Sequence, residues 1–343
     1  IRRIGAKDVT VTDGRVAFTG GTDVLAAANL HSRCAERILL LLKTGRAMTF
    51  DELFDLAYSV PWEELMPADA AFPVKGSSLS SQLSSVPACQ SIVKKAVVER
   101  LKKGHRVQAL PESGGEYRIR FSIRKNEAEI MLDTSGEGLH KRGYRRQSTL
   151  APIKETLACA MLDLGRIYPD STVQDPFCGS GTLCIEAAMK ALHIAPGLRR
   201  RFAAERYAFV PAGTFERARA AALEQVVRDA PFEAVGFDID ESAVALAAHN
   251  ARLAGVDAHV RFYKADVKDF APRAGSLVFT NPPYGERMLE QRSAQQLYRA
   301  FGRHVKFADG WKKYIISSEP EFEHYFGKQA AKKRKLYNGR LQC

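Results

Sequence analysis

The sequence predicts an open α/β fold with a parallel central sheet, preceded by a smaller α+β module, and three stretches carry that prediction. Ser171-Thr172-Val173-Gln174 reads as a short strand and runs into Asp175-Pro176-Phe177-Cys178-Gly179-Ser180-Gly181-Thr182, after which Leu183, Ile185, Ala187, Ala188 and Met189 form a helical apolar pattern. A strand, a Gly-rich turn and a helix open a nucleotide-type βαβ unit. Ala234-Val235-Gly236-Phe237-Asp238-Ile239-Asp240 reads as a second strand ending in acids, ahead of a helical run over residues 242–250. Ser276-Leu277-Val278-Phe279 is a third, buried strand. It leads into Thr280-Asn281-Pro282-Pro283-Tyr284-Gly285, at the end where open α/β sheets keep their sites.

Taken in order, the N-terminal elements differ in kind. Residues 7–11 and 15–18 alternate around Asp13-Gly14, a hairpin signal. Thr22-Asp23 caps a helix whose apolar face is Leu25, Ala28, Leu30, Cys34, Ile38 and Leu41. A second helix covers residues 50–58, and Phe72-Pro73-Val74 forms a strand before a Ser-rich turn over residues 77–85. Pro87 begins a long helix through Ile92, Val93, Ala96, Val97 and Leu101, with Lys94, Lys95, Arg100, Lys102 and Lys103 outward. Residues 117–123 and 128–132 are alternating strands joined by a charged turn. No Gly-rich ligand loop interrupts this module, which points to binding rather than catalysis. Further on, residues 189–231 read as an inserted helical region, residues 259–263 and 311–317 as strands, and Tyr337-Asn338-Gly339-Arg340 as a closing hairpin.

The chemistry lies in the turns. Gly179 and Gly181 let backbone approach a ligand and reach positive φ. No Lys follows them, which argues against a phosphate-cradling P-loop, and the full G-x-G-x-x-G pattern is missing. Asp175 at the front of the turn suits the positively charged amino end of S-adenosylmethionine (SAM). Asp238 is placed for a ribose diol, Ile239 for the face of adenine, and Asp266, in Lys264-Ala265-Asp266-Val267, for the adenine amino group. Any one of these acids could be only a helix cap, but three at successive strand ends favour SAM. The Asn281-Pro282-Pro283-Tyr284 loop is stiff, because each proline fixes its own φ and restrains the residue before it. It offers carbonyl oxygens with few competing donors, one side-chain amide and one aromatic face. That set suits a planar substrate bearing an NH2 group.

The two loops resemble the SAM loop and catalytic loop of amino methyltransferases, which methylate adenine N6, cytosine N4, guanine N2 or a glutamine amide. Leu139-His140-Lys141-Arg142-Gly143-Tyr144-Arg145, with Ala151-Pro152-Ile153-Lys154-Glu155-Thr156-Leu157-Ala158, resembles the start of the catalytic domain in RNA methyltransferases that carry a THUMP domain. Among these the resemblance is strongest to bacterial enzymes that form N2-methylguanosine in 23S rRNA, and it covers nearly the whole chain. It implies a ferredoxin-like segment over residues 1–55 lacking its first strand, a THUMP RNA-binding domain over 56–140, and a Rossmann-like SAM methyltransferase domain over 141–343. It further implies Asn281, Pro282, Pro283 and Tyr284 as the catalytic group. Around SAM it places Asp175, Phe177, Cys178, Gly179, Gly181, Thr182, Asp238, Ile239, Asp266, Val267 and Asn281, with Pro152 from the preceding segment.

Composition narrows the partners. The 343 residues suffice for two or three domains, and no run of 18 apolar residues indicates a membrane span. The six cysteines lie far apart without a C-x-x-C pair, which argues against zinc and fits a reducing cytosol, so a cytoplasmic protein without a metal is expected. Cys178 has no His partner nearby and fills a tight turn rather than acting as a nucleophile. His105, His193, His249 and His304 lack ligand spacing. The net charge of +12 is spread through both halves. Its clusters, Lys141-Arg142 with Arg145-Arg146 around Tyr144, Arg199-Arg200-Arg201, and Lys332-Lys333-Arg334-Lys335, predict a phosphate-binding surface, joined by Lys94 and Lys95. The partner expected is RNA: rRNA by resemblance, with tRNA open. A DNA adenine methylase, a protein glutamine methyltransferase and a non-enzymatic RNA-binding assembly factor stay as alternatives. The residues themselves set neither guanine N2 against adenine N6 nor the oligomeric state.

Overall fold

The computed structural model describes residues 1–145, 152–283, 288–305, 312–338 and 341–343. The chain forms two compact units. Ile1–Leu30, Glu36–Leu139 and Arg201–Arg219 build the first, and His31–Ala35, His140–Arg200 and Ala220–Cys343 the second.

The first unit opens with an antiparallel hairpin, β1 (Lys7–Thr12) and β2 (Arg15–Thr19), followed by α1 (Thr22–His31), β3 (Leu39–Arg46), α2 (Phe50–Tyr58) and α3 (Trp62–Leu65). Then come β4 (Val74–Leu79), α4 (Val86–His105), β5 (Ile119–Arg124) and β6 (Glu127–Asp133). The last four strands form one sheet in the order β3-β6-β5-β4. Local capping explains two helix starts. Thr49 and Glu52 cap each other's backbone at α2, and Ser85 caps α4 with Pro87 in its first turn.

Two expectations fail here. The first helix does not run on to Leu41: it ends at His31, and Leu41 lies in β3, paired with Met131 of β6. The apolar run 38–42 fits either period, and the ladder supplied by β6 decides it. Ser77 and Ser78 are likewise strand rather than turn, because β5 lies parallel beside them at Ser122 and Ile123. Residues 201–219, whose role the sequence left undetermined, pack within this first unit. Tyr207 Oη donates to the Asp133 carbonyl at 2.6 Å and its ring stacks on Tyr117 at 4.6 Å.

The second unit contains α5 (Glu155–Gly165), β7 (Thr172–Asp175), α6 (Thr182–Ala191), the end of α7 (Thr214–Glu224), β8 (Glu233–Asp238), α8 (Glu241–Ala254) and β9 (Val260–Lys264). It continues with β10 (Leu277–Thr280), α9 (Met288–Val305), β11 (Lys312–Ile315), α10 (Phe322–Phe326) and a small hairpin, β12 (Tyr337–Asn338) with β13 (Leu341–Gln342). Trp311, Gly339 and Arg340 lie outside the described residues. The sheet order is β11-β10-β7-β8-β9 and every pairing is parallel. From β7 the chain adds strands on one side, then returns to place β10 on the other. The switch point therefore falls between β7 and β10, and the crevice at their carboxyl ends is where such sheets bind ligands. Phe279 of β10 is fully buried and stacks on Tyr314 at 4.6 Å. Burial of a side chain of that size contributes roughly 1.5–3 kcal/mol, which anchors the strand whose end carries Asn281.

Candidate active site

The ends of β7, β8 and β10 converge through hydrogen bonds. Leu277 and Val278 pair with Val173 and Gln174. That register brings Thr280 to the end of β7, where its hydroxyl donates to Asp175 Oδ1 at 2.7 Å. The Phe177 amide donates to the same oxygen at 3.1 Å. Asp175 is almost wholly buried, and burial pushes its carboxyl up to about 7 despite these two donors. Beyond it the turn runs through Gly179 at φ 50° and Gly181 at φ 83°, the N-cap of α6. A Cβ on Gly181 would sit 2.7 Å from the Phe262 ring, so both conformation and space require glycine there.

Asp238, at the end of β8, braces this turn from the side. Its Oδ2 accepts from the Gly179 amide at 2.9 Å and its Oδ1 from the Asp240 amide at 3.0 Å. Ile239 next to it is 66% exposed, an apolar surface beside the acid. Asp266 caps a short turn through the Lys268 amide at 3.0 Å, which holds its carboxyl below the usual range, while Val267 is buried. Cys178 is buried and its amide donates to the Phe237 carbonyl at 2.9 Å. Burial drives its thiol far upward, away from the thiolate that nucleophilic chemistry needs. In the loop after β10, Asn281 is half-buried, Pro282 buried and Pro283 exposed. Tyr284 lies outside the described residues.

The basic segment before this domain is placed otherwise than expected. Arg142 and Tyr144 were expected to face RNA, yet they are 2% and 1% exposed. The Arg142 guanidinium lies 3.5 Å from Glu186 and donates to the Ser32 and Arg33 carbonyls, while Tyr144 Oη donates to Glu186 at 3.0 Å. Arg145 is also turned inward, donating to the Ile153 carbonyl at 3.2 Å, Thr182 Oγ1 at 3.0 Å and Glu155 at 2.9 Å. A buried charge persists only when paired, so these cations serve acids inside the fold rather than phosphates outside it. Arg145 thereby ties Ile153 to Thr182, the first residue of α6, and Pro152 beside Ile153 is half-buried. Lys141 and Lys95 are exposed, as are Lys333, Arg334 and Lys335, although Lys333 pairs with Glu323 at 2.7 Å. Lys94 bonds Glu112 at 2.6 Å and lies 3.6 Å from the Phe72 ring centroid. Arg146 falls outside the described residues.

Two supporting residues escaped the sequence. Asn250 of α8 is buried and donates to the Ser180 carbonyl at 3.0 Å, fixing the Gly-rich turn. Its signal was a polar residue within the buried stripe Ala243, Ala247, Ala251 and Ala254. Tyr298 of α9 donates to the Pro283 carbonyl at 2.7 Å. The residues present suit SAM: a turn with two glycines at positive φ, carboxylates at the ends of β7 and β8, and an exposed isoleucine between the latter and α8.

Residues 142–343 match the family model described as RMKL-like, methyltransferase domain. Residues 47–133 match a THUMP domain and residues 1–39 an RlmL ferredoxin-like domain. Over 332 residues the chain is 42% identical to "Putative RNA methyltransferase YpsC" of Bacillus subtilis, covering 96% of this chain and 86% of that protein. Over 365 residues it is 36% identical to "Ribosomal RNA large subunit methyltransferase K/L" of Syntrophotalea carbinolica, where the whole chain spans 50% of the relative. Among solved structures, SMU.472, described as "a putative methyltransferase complexed with SAH", aligns with a TM-score of 0.89 at 40% identity, over 99% of this chain and 91% of that one.

Proposed function

The chain belongs to the RMKL-like methyltransferase family, with a THUMP domain and an RlmL-type ferredoxin-like segment ahead of its methyltransferase domain, and from that premise we propose that it methylates an exocyclic base amine of ribosomal RNA, specifically guanine N2 of 23S rRNA, in the cytoplasm. One observation carries the reading: Thr280, next to Asn281, is hydrogen-bonded to Asp175 at the front of the Gly-rich turn, so the amine-gripping loop and the cofactor turn share one crevice.

The cofactor is SAM, which when bound supplies an electrophilic methyl group. Asp175, Phe177, Cys178, Gly179, Gly181, Thr182, Asp238, Ile239, Asp266, Val267 and Pro152 would hold it. Asp238 would accept from the ribose hydroxyls and Asp266 from the adenine amino group, and Ile239 would cover the adenine face. The target nitrogen is a poor nucleophile because its lone pair is delocalised into the base. The Asn281 side-chain oxygen and the Pro282 carbonyl accept hydrogen bonds from its two N–H groups, localise that lone pair and fix the nitrogen in position. Tyr284 receives the base once it has left its stack. No strong general base is required, since the amine becomes acidic as it is methylated. Exposed Lys95, Lys141, Arg334 and Lys335 meet RNA phosphates.

Incubation with labelled SAM and separately purified 23S rRNA, tRNA, DNA and protein tests this reading. Label should enter 23S rRNA and be released on digestion as N2-methylguanosine. Recovery as N6-methyladenosine, or labelling of tRNA, DNA or protein alone, would overturn it. Asn281→Ala should lower kcat by roughly 10²–10³ while SAM binding persists, the scale of a lost transition-state hydrogen-bonding group.

A further inference from the structure

We infer that Tyr298 is a positioning residue for the Asn281-Pro282-Pro283 loop, holding its exit by a hydroxyl bond to the Pro283 carbonyl; this rests on the loop being the catalytic one. Tyr298 sits on the buried stripe of α9 between Ala294, Phe301 and Val305, and is itself 1% exposed. Phe or Leu would fill that slot equally well. A buried hydroxyl is costly unless it finds a partner, so its presence calls for one. The partner is the Pro283 carbonyl at 2.7 Å, and the Ser317 side chain also bonds the phenol. Its ring is fixed edge-on by Phe322, with centroids 4.9 Å apart.

The loop's own sequence limits its internal bonding. Neither Pro282 nor Pro283 has an amide hydrogen, so neither can donate a backbone bond that would hold the segment. At its start Thr280 supplies a hydroxyl bond to Asp175, and at its end Tyr298 supplies another. Between these two pins lie the two acceptors for the substrate amine, the Asn281 side chain and the Pro282 carbonyl. Their separation from the methyl donor sets the rate, and a displacement of about 1 Å can cost about 100-fold.

Tyr298→Phe removes the hydroxyl and keeps the ring contact with Phe322. In the full chain it should lower kcat roughly 10- to 100-fold, leave KM for RNA and the calorimetric SAM Kd within about twofold of wild type, and speed amide exchange in the peptide spanning residues 277–290. Unchanged kcat would overturn the assignment. So would a joint loss of SAM affinity and thermal midpoint, the mark of a merely structural residue. If the wild-type chain itself transfers no methyl to RNA, the functional reading fails. The exchange comparison still decides the brace: equal exchange in variant and wild type sinks it. Ser317→Ala, which removes the other partner of the phenol, should shift kcat and exchange in the same direction by less, and no shift in either counts against the brace.

Discussion

The turn after β7 and the segment 141–145 are both short, chemically loaded and read from residue types alone, yet the fold treats them in opposite ways. In the turn, glycines at positive φ and a strand end dictate where the backbone goes, so Asp175 meets Thr280 at the end of β10 and the Gly179 amide meets Asp238 at the end of β8. In the segment the reading rested on charge, and charge does not say which way a side chain points. A buried acid, Glu186 on the apolar face of α6, draws Arg142 and Tyr144 inward. Backbone-constrained motifs therefore announce their geometry, whereas a cluster of cations depends on what lies across from it.

Arg142→Ala is the sharpest way to break that contrast. It leaves Glu186, which is fully buried, without its cation, and removing one partner of a buried pair costs about 3–5 kcal/mol. The urea midpoint should fall steeply. A variant with the wild-type midpoint and weakened RNA binding would instead return Arg142 to the RNA surface.

Asp175 tests the other region through pH. Burial raises its folded-state pKa to about 7, above the ordinary 3.8. Between those values the folded chain keeps a proton that the unfolded chain has released, so stability should fall as pH rises from about 4 to about 7 and level off beyond, by a few kcal/mol at most. Asp266 has the opposite sign: its lowered pKa makes its contribution present at neutral pH and lost in acid. Urea titrations across this range with Asp175→Asn and wild type separate the two; an unchanged slope in the variant would show that Asp175 does not carry the effect.

The legible parts share a property. β7, β8 and β10 stood out because each short run is followed within three residues by Asp or Pro, which stop a strand locally. α1 and β3 were confused because residues 38–42 fit either period until β6 lies beside them. At the candidate site, the placement of Asp175, Asp238 and Asn281 at strand ends was readable. Tyr298 was not, since a tyrosine on an apolar helical stripe looks like core and its partner is 15 residues away. Asn250 was within reach, as the one polar interruption of a buried alanine stripe.

Asp238→Ala sharpens the comparison within the site, with a smaller effect. The carboxylate accepts from the Gly179 amide and, in the proposed complex, from the ribose. Hydrogen bonds to charged groups contribute about 1.5–3 kcal/mol, so SAM affinity should fall roughly 10- to 100-fold by calorimetry. The urea midpoint should move less than for Arg142→Ala, because Asp238 leaves no unpaired charge behind. Unchanged SAM affinity would reduce Asp238 to a brace for the turn.

The smallest effect comes from a cation that did stay outside. Lys335 is exposed, with its ammonium 6.0 Å from the Tyr337 ring centroid, whereas Lys333 is already paired with Glu323. Exposed charges far from a buried partner add little to folding, so Lys335→Ala should leave the urea midpoint unchanged. If Lys335 meets a phosphate, its loss releases one fewer counterion. The slope of log affinity for single-stranded RNA against log salt should then shrink by about 0.7. A slope equal to wild type would make the cluster at residues 332–335 a solvated face, leaving Lys95 and Lys141 to carry the electrostatic contact. A reduced slope with an intact fold would place Lys335 opposite Arg142 in kind: same charge and chain, but with water rather than Glu186 across from it, and so still available to RNA.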